Sequence, residues 1–125
     1  MTDQAWNLTV SYDPRTGETT VTGPDGTSAD ETIFEGETDT VTLQPGDGVS
    51  AVTGITIRCP VPMPSGVAVS AQPRGNALVI TDTDTLASDA AEVDVEYCIL
   101  FKDASGKDQS TDPKLINKPT PRPEQ

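Results

Sequence analysis

In this chain the side chains best placed to do chemistry are carboxylates. Asp82 and Asp84 stand two apart in Thr81-Asp82-Thr83-Asp84-Thr85, so an extended backbone points both to one side. Carboxylates on one face can hold a hard cation such as calcium or act as a general acid and base pair. Asp89 or Asp94 could join them in space. Calcium wants six to eight oxygens, and no spaced Asp/Asn-Gly loop accompanies the pair. The plainer reading is a solvated strand end whose like charges keep an edge soluble. A second triplet, Glu92, Asp94 and Glu96, alternates with Val93, Val95 and Tyr97, the pattern of any half-exposed strand.

Composition removes several activities. The chain has 125 residues and no histidine, so it has no Ser-His-Asp or Cys-His nucleophile pair and no His-containing zinc site. Two cysteines, Cys59 and Cys98, cannot supply a closed four-thiolate site. Gly46-Asp47-Gly48 lacks the lysine and following helix of a phosphate loop. One Trp, two Tyr and two Phe are few for an aromatic-lined sugar cleft. The expectation is therefore a protein that is not an enzyme and carries no cofactor, with calcium at Asp82 and Asp84 the one metal to consider.

Twenty acidic against eight basic residues give a net charge of −12. Up to Phe101 the count is sixteen acidic and three basic; beyond it, four acidic and five basic. An anionic body with a mildly cationic end repels phosphates and anionic lipid, so neither nucleic acid nor membrane is expected as a partner. No basic and apolar leader opens the chain and no run is long enough to cross a bilayer, so the expected location is the cytoplasm. The expected partner is a protein or a second copy.

These residues must be carried by strands. Leu, Ile, Val and Phe number 25, and the 18 threonines add further β-branched side chains that suit pleated backbone. Trp6–Tyr12 and Glu18–Thr22 form a hairpin through Asp13-Pro14-Arg15-Thr16-Gly17. Gly23-Pro24-Asp25-Gly26 is a second turn. Thr32–Glu35 and Thr38–Leu43 alternate in period two, Val49–Val52 and Gly54–Arg58 follow with Gly54 a bulge or bend, and Asn76–Thr81 and Glu92–Lys102 are the clearest later strands. Ser88–Ala91 could form one helical turn, and Pro113–Asn117 could return as a short strand. The alternate prolines of Pro60–Pro64 mark an edge or loop. Trp6, in phase with Leu8 and Val10, reads as a core anchor.

The predicted fold is all-β: an immunoglobulin-like β-sandwich of about seven or eight short antiparallel strands. It occupies one domain over 1–118, with a mobile proline-rich tail over 119–125. Cys98 falls on the face opposite Val95, Tyr97 and Ile99, while Cys59 shares the phase of Ile55 and Ile57, so both are read as free thiols rather than a bridge. Cys98 and Leu100 make the nominally outer face apolar where Ile99 and Phe101 fill the inner one. Something must cover that outer face, and the choices are the chain's own Leu115-Ile116 segment or a neighbouring subunit. Cys98, Leu100, Leu115 and Ile116 are thus the expected interface residues.

The ending Asp112-Pro113-Lys114-Leu115-Ile116-Asn117-Lys118-Pro119 resembles the end of small bacterial β-sandwich proteins of the DP-EP family. The resemblance covers eight residues and implies a bacterial origin and a sandwich fold, with no activity and no site residues. Three functional readings leave this stage: foremost a non-catalytic interaction or accessory protein that self-associates or binds a protein partner through a strand edge; next a module for carbohydrate or another small ligand, with or without calcium at Asp82 and Asp84; and, furthest off, a carboxylate-based hydrolase.

Overall fold

Period-two alternation decides which way each strand faces. In the computed structural model, which describes residues 3–23, 31–60, 62–111 and 114–120, the strands are β1 (Ala5–Asp13), β2 (Glu18–Thr22), β3 (Glu31–Ile33), β4 (Thr38–Pro45), β5 (Val49–Cys59), β6 (Val67–Arg74), β7 (Ala77–Asp84), β8 (Val93–Asp103), β9 (Asp108–Thr111) and β10 (Lys114–Asn117). Among these residues there is no helix and hence none long and apolar enough to cross a membrane.

The strands form two sheets. One has the order β2-β1-β4-β7-β6; the other runs β3-β10-β8-β5, with β9 beside the second half of β8. Both β9 and β10 pair antiparallel with β8, β10 against Val93–Glu96 and β9 against Ile99–Lys102. The all-β, two-sheet architecture is as expected. The strand number and orientation are not, because the described residues form ten strands and two pairings, β1 with β4 and β3 with β10, are parallel. Parallel neighbours require crossovers rather than hairpins, and no local signal announces them.

One sheet contributes Leu8, Val10, Val41, Leu43, Leu78 and Ile80 to the core, the other Ile33, Val52, Val95, Tyr97, Ile99, Phe101 and Leu115. Fully burying side chains of this size stabilises by about 1.5–3 kcal/mol each. Trp6 packs against this core, as its phase with Leu8 predicts, and the Tyr12 and Phe101 rings meet at 6.1 Å and 60°.

The β1–β2 turn forms as read, with Gly17 N donating to Asp13 O at 2.8 Å and Gly17 at φ 74°. The two predicted strands around Gly54 are one strand, β5, whose register with β8 shifts between Val52 and Gly54. Ala90 N donates to Ala87 O at 2.9 Å, closing a single turn. The expected turn at Gly23–Gly26 lies outside the described residues beyond Gly23, as does the tail from 121. Its first part is docked, since Glu35 N donates to Thr120 O at 2.9 Å.

Candidate functional site: a buried carboxylate cluster and the open strand edges

β7 alternates so that Leu78, Ile80, Asp82 and Asp84 all point inward. Neighbouring β4 does the same with Leu43, Val41 and Asp39, and Glu37 lies just before it. The inner face of this sheet is therefore apolar along most of its length and acidic at one end. Asp39 and Asp82 are direct cross-strand partners. From the opposite sheet, β10 sends Leu115 and Asn117 inward, and Asn117 Nδ2 donates to Asp82 Oδ2 at 2.9 Å. Glu37, Asp39, Asp84 and Asn117 are 0 % exposed and Asp82 is 1 % exposed, with Glu31 of β3 also buried.

Each member of the cluster has fixed partners. Asp39 Oδ1 accepts Gln4 N at 2.7 Å, Glu37 Oε1 accepts Phe34 N at 3.1 Å, and Asp84 Oδ1 accepts Leu86 N at 3.0 Å. The main chains of Glu37 and Asp84 are tied as well, Asp84 N donating to Glu37 O at 3.0 Å and Gly36 N to Asp84 O at 2.7 Å. Among the described residues, Asp82 Oδ1, Asp84 Oδ2 and Asn117 Oδ1 are buried oxygens without a hydrogen-bond partner.

Among the described side chains no Lys or Arg is buried, so no internal cation offsets these acids. Burial pushes the Asp82 carboxyl up to about 7, against the lowering effect of the Asn117 bond and with a further push from the Asp84 charge. Burial also raises Asp84; the Leu86 N–H works against this, and Glu35 and Glu37 reinforce it. The physical cause is the same for both, because a carboxylate removed from water without a counter-charge is far less stable than the neutral acid.

Asp82 and Asp84 thus share a face as predicted, but the face is the interior of the sandwich rather than a solvated edge. Asp89 and Asp94 are exposed and do not join them. Among the described residues no three acidic, cysteine or histidine side chains come together as a cation cage. Glu37, Asp39 and Asn117 were not anticipated. Their signal was the alternation itself, since Asp39 is in phase with Val41 and Leu43, and Asn117 with Leu115.

The predicted interface residues divide. Among the described residues Leu100 is the exposed large hydrophobic side chain, at 36 %, and Cys98, a free thiol, is half-buried on the same outer face. Leu115 is fully buried in the core. Ile116 sits beside Asp94 in the β10–β8 ladder. β10 extends the sheet edge to edge instead of lying over it, so the Leu115-Ile116 segment does not cover the Cys98 and Leu100 face. Gly54 stands opposite Leu100, and its missing side chain leaves that flank of the leucine open.

Among the described residues five strands have a free side: β2, β3, β5, β6 and β9, the last only four residues long and carrying Asp108. β2 has five residues and carries Glu18; β3 has three and carries Glu31. β5 is long, but its register breaks three times, and Val52 N is already satisfied by Asn76 O at 2.9 Å. β6 differs. Its eight residues pair with β7 in unbroken register from Val67 to Arg74, and Val67-Ala68-Val69-Ser70-Ala71-Gln72 carries no charge. On the outer face it continues into Val79, Thr81 and Thr40, which with Gln72, Pro73 and Arg74 line a shallow hollow of about 230 Å³.

The cationic end is held to the body at Lys118, whose Nζ lies 2.8 Å from Glu92 Oε1. No family model matches the chain, and a search among curated proteins finds no match.

Proposed function

We propose that this protein is a non-catalytic association module that adds a strand to the β6 edge of the sheet β2-β1-β4-β7-β6, the added strand being β6 of a second copy. The observation carrying this reading is the contrast among the borders. Proteins blunt open edges with bulges, charge and brevity, and β2, β3 and β5 each use one of these. β6 has its Pro73 and Arg74 only at the far end. Its uncharged run lets two copies of a chain with net charge −12 approach without opposed carboxylates, and an antiparallel two-fold pairing is self-complementary. An immunoglobulin-like arrangement is part of this proposal, supported by the two facing sheets.

Sedimentation velocity over a range of concentrations tests it. The native chain should show a reversible monomer–dimer equilibrium that strengthens with salt as repulsion is screened. The Ala68→Lys, Ser70→Lys double variant, at two exposed positions, should weaken the dimer by about tenfold. A native chain monomeric at every concentration and salt level would end this reading.

A second reading is favoured by the hollow beside β6, whose Thr40, Thr81 and Gln72 offer neutral hydrogen-bonding groups. It is a module for a neutral polyhydroxylated ligand on the outer face. Asp82 and Asp84 point the other way, so calcium held by them would act on fold stability and not on the ligand. Titration with soluble oligosaccharides, followed by the amide signals of Thr40 and Thr81, separates this reading from strand addition.

A further inference from the structure

Two of the buried oxygens without a partner belong to the two side chains that are already bonded to each other. Asn117 Nδ2 donates to Asp82 Oδ2 at 2.9 Å, while Asp82 Oδ1 and Asn117 Oδ1 both lack a donor. A primary amide presents a donor and an acceptor side by side, and a neutral carboxylic acid does the same. Placed face to face they close a ring through two bonds, amide N–H to carboxyl oxygen and acid O–H to amide oxygen. The first of these is in place. The second would run between Asp82 Oδ1 and Asn117 Oδ1 and would satisfy both orphaned atoms at once.

We propose that Asp82 is a neutral carboxylic acid in the native fold, its Oδ1 hydroxyl donating to Asn117 Oδ1, so that the two side chains form a cyclic acid–amide clasp between the sheets. With Asp82 ionised, two acceptors would stand unpaired in the interior, and each such group carries its full desolvation penalty. The bond joins β7 to the C-terminal strand β10, which in turn holds β3 in parallel register at Leu115–Asn117. Proton loss from Asp82 therefore bears on the attachment of the chain's last strand.

Burial and the neighbouring Asp84 charge favour the proton, against the Asn117 N–H. On β7 the neighbour is Asp84, and β4 brings Asp39 as the cross-strand partner, with Glu37 just ahead of it. Glu35, in the turn after β3, acts on the neighbouring Asp84. β6 places apolar Val69 beside Asp82. After β10, the Lys118 ammonium is committed to Glu92. The rise of the Asp82 carboxyl to about 7 agrees with a proton kept through the mildly acidic range.

Carbon-13 NMR of the aspartate carboxyls across pH 4 to 9, together with thermal melts of the native chain and Asp82→Asn, tests the clasp. Asn at this position keeps an amide–amide ring without a titrating group. The Asp82 carbon should hold its protonated shift through pH 6. The share of the native folding equilibrium constant that Asp82 carries should fall by up to about tenfold per pH unit between its unfolded and folded pKa values, and Asp82→Asn should lose that share, keeping only the slope of the also-raised Asp84. A carboxylate shift for Asp82 at pH 5, or an Asp82→Asn variant with the native pH slope, would overturn the proposal. If the variant does not fold, the native titration decides alone.

Discussion

Asn117 and Asp82 meet across the two sheets through a 2.9 Å bond, with both side chains removed from solvent. They are 35 residues apart in the chain. Asn117→Ala leaves Asp82 Oδ2 without its donor and opens a small void, a loss of about 1–3 kcal/mol. Asn117→Leu adds an apolar group against the carboxyl and should cost at least as much. Chemical denaturation at pH 6 measures both, and amide exchange should show β10 and β3 losing protection before β8.

pH should act on this fold in two opposite windows. Asp82 is raised from 3.8 to about 7, so the native state binds its proton where the unfolded chain has released it. Stability from this group is full below about pH 4, declines as pH rises, and is gone above about pH 7. Asp103 runs the other way. Its Oδ1 accepts Ser105 Oγ at 2.6 Å and the N–H groups of Ser105 and Lys107, each at 3.0 Å. These bonds, led by the Ser105 hydroxyl and the Lys107 N–H, bring it down to about 2. Its contribution is present above about pH 4 and lost as pH falls toward 2. Melting temperature against pH should peak near the lower end of the mildly acidic range, and Asp103→Ala should flatten the acid limb alone.

Backbone geometry makes a third prediction. Gly48 has φ +76°, and a Cβ there would lie 2.0 Å from Tyr12 O, while Gly17 has φ +74° with open space around it. Gly17→Ala meets only the left-handed penalty of about 1–2 kcal/mol. Gly48→Ala adds a backbone clash that Tyr12 cannot relieve, because Tyr12 N is held by Asp47 O at 2.8 Å. Urea denaturation should show Gly48→Ala costing more than about 3 kcal/mol and Gly17→Ala less. Equal losses would mean that the strand β1 and its neighbouring turn yield more easily than this packing implies.

How far the sequence reaches can be judged from particular residues. The β1–β2 hairpin was legible because Pro14 and Gly17 state the turn locally, and Gly54 announced the break in β5. The shared face of Asp82 and Asp84 followed from period two alone. Whether that face was inner or outer did not, because threonines flank the acids and dilute the contrast that Leu78 and Ile80 provide earlier in β7. Asn117 could be phased with Leu115, yet nothing local tells that β10 crosses to face β7. β6 was missed altogether. Its Val67, Val69 and Ala71 do alternate with Ala68, Ser70 and Gln72, but small side chains carry a weak signal, and Pro73 argues against a strand unless it lies on a border. The parallel pairings of β1 with β4 and β3 with β10 are non-local contacts that no window of sequence contains.

Leu100 and the β6 edge make competing claims on association, and one comparison decides between them. Leu100 is 36 % exposed on a small outer patch with half-buried Cys98, flanked by Thr53, Asp108 and Gln109. Lone exposed leucines are ordinary on soluble proteins, whereas an unblunted edge offers a row of unpaired main-chain groups. Leu100→Lys should therefore change stability by less than about 0.5 kcal/mol and leave the dimer constant as it is. The Ala68→Lys, Ser70→Lys variant should also stay folded, because both side chains point to solvent, while losing dimer at the same protein concentration. Sedimentation of the three proteins side by side reads this directly. Loss of dimer on Leu100→Lys, with the β6 variant unaffected, would transfer the interface to the outer face of β8 and β5, where Gly54 leaves the leucine uncovered.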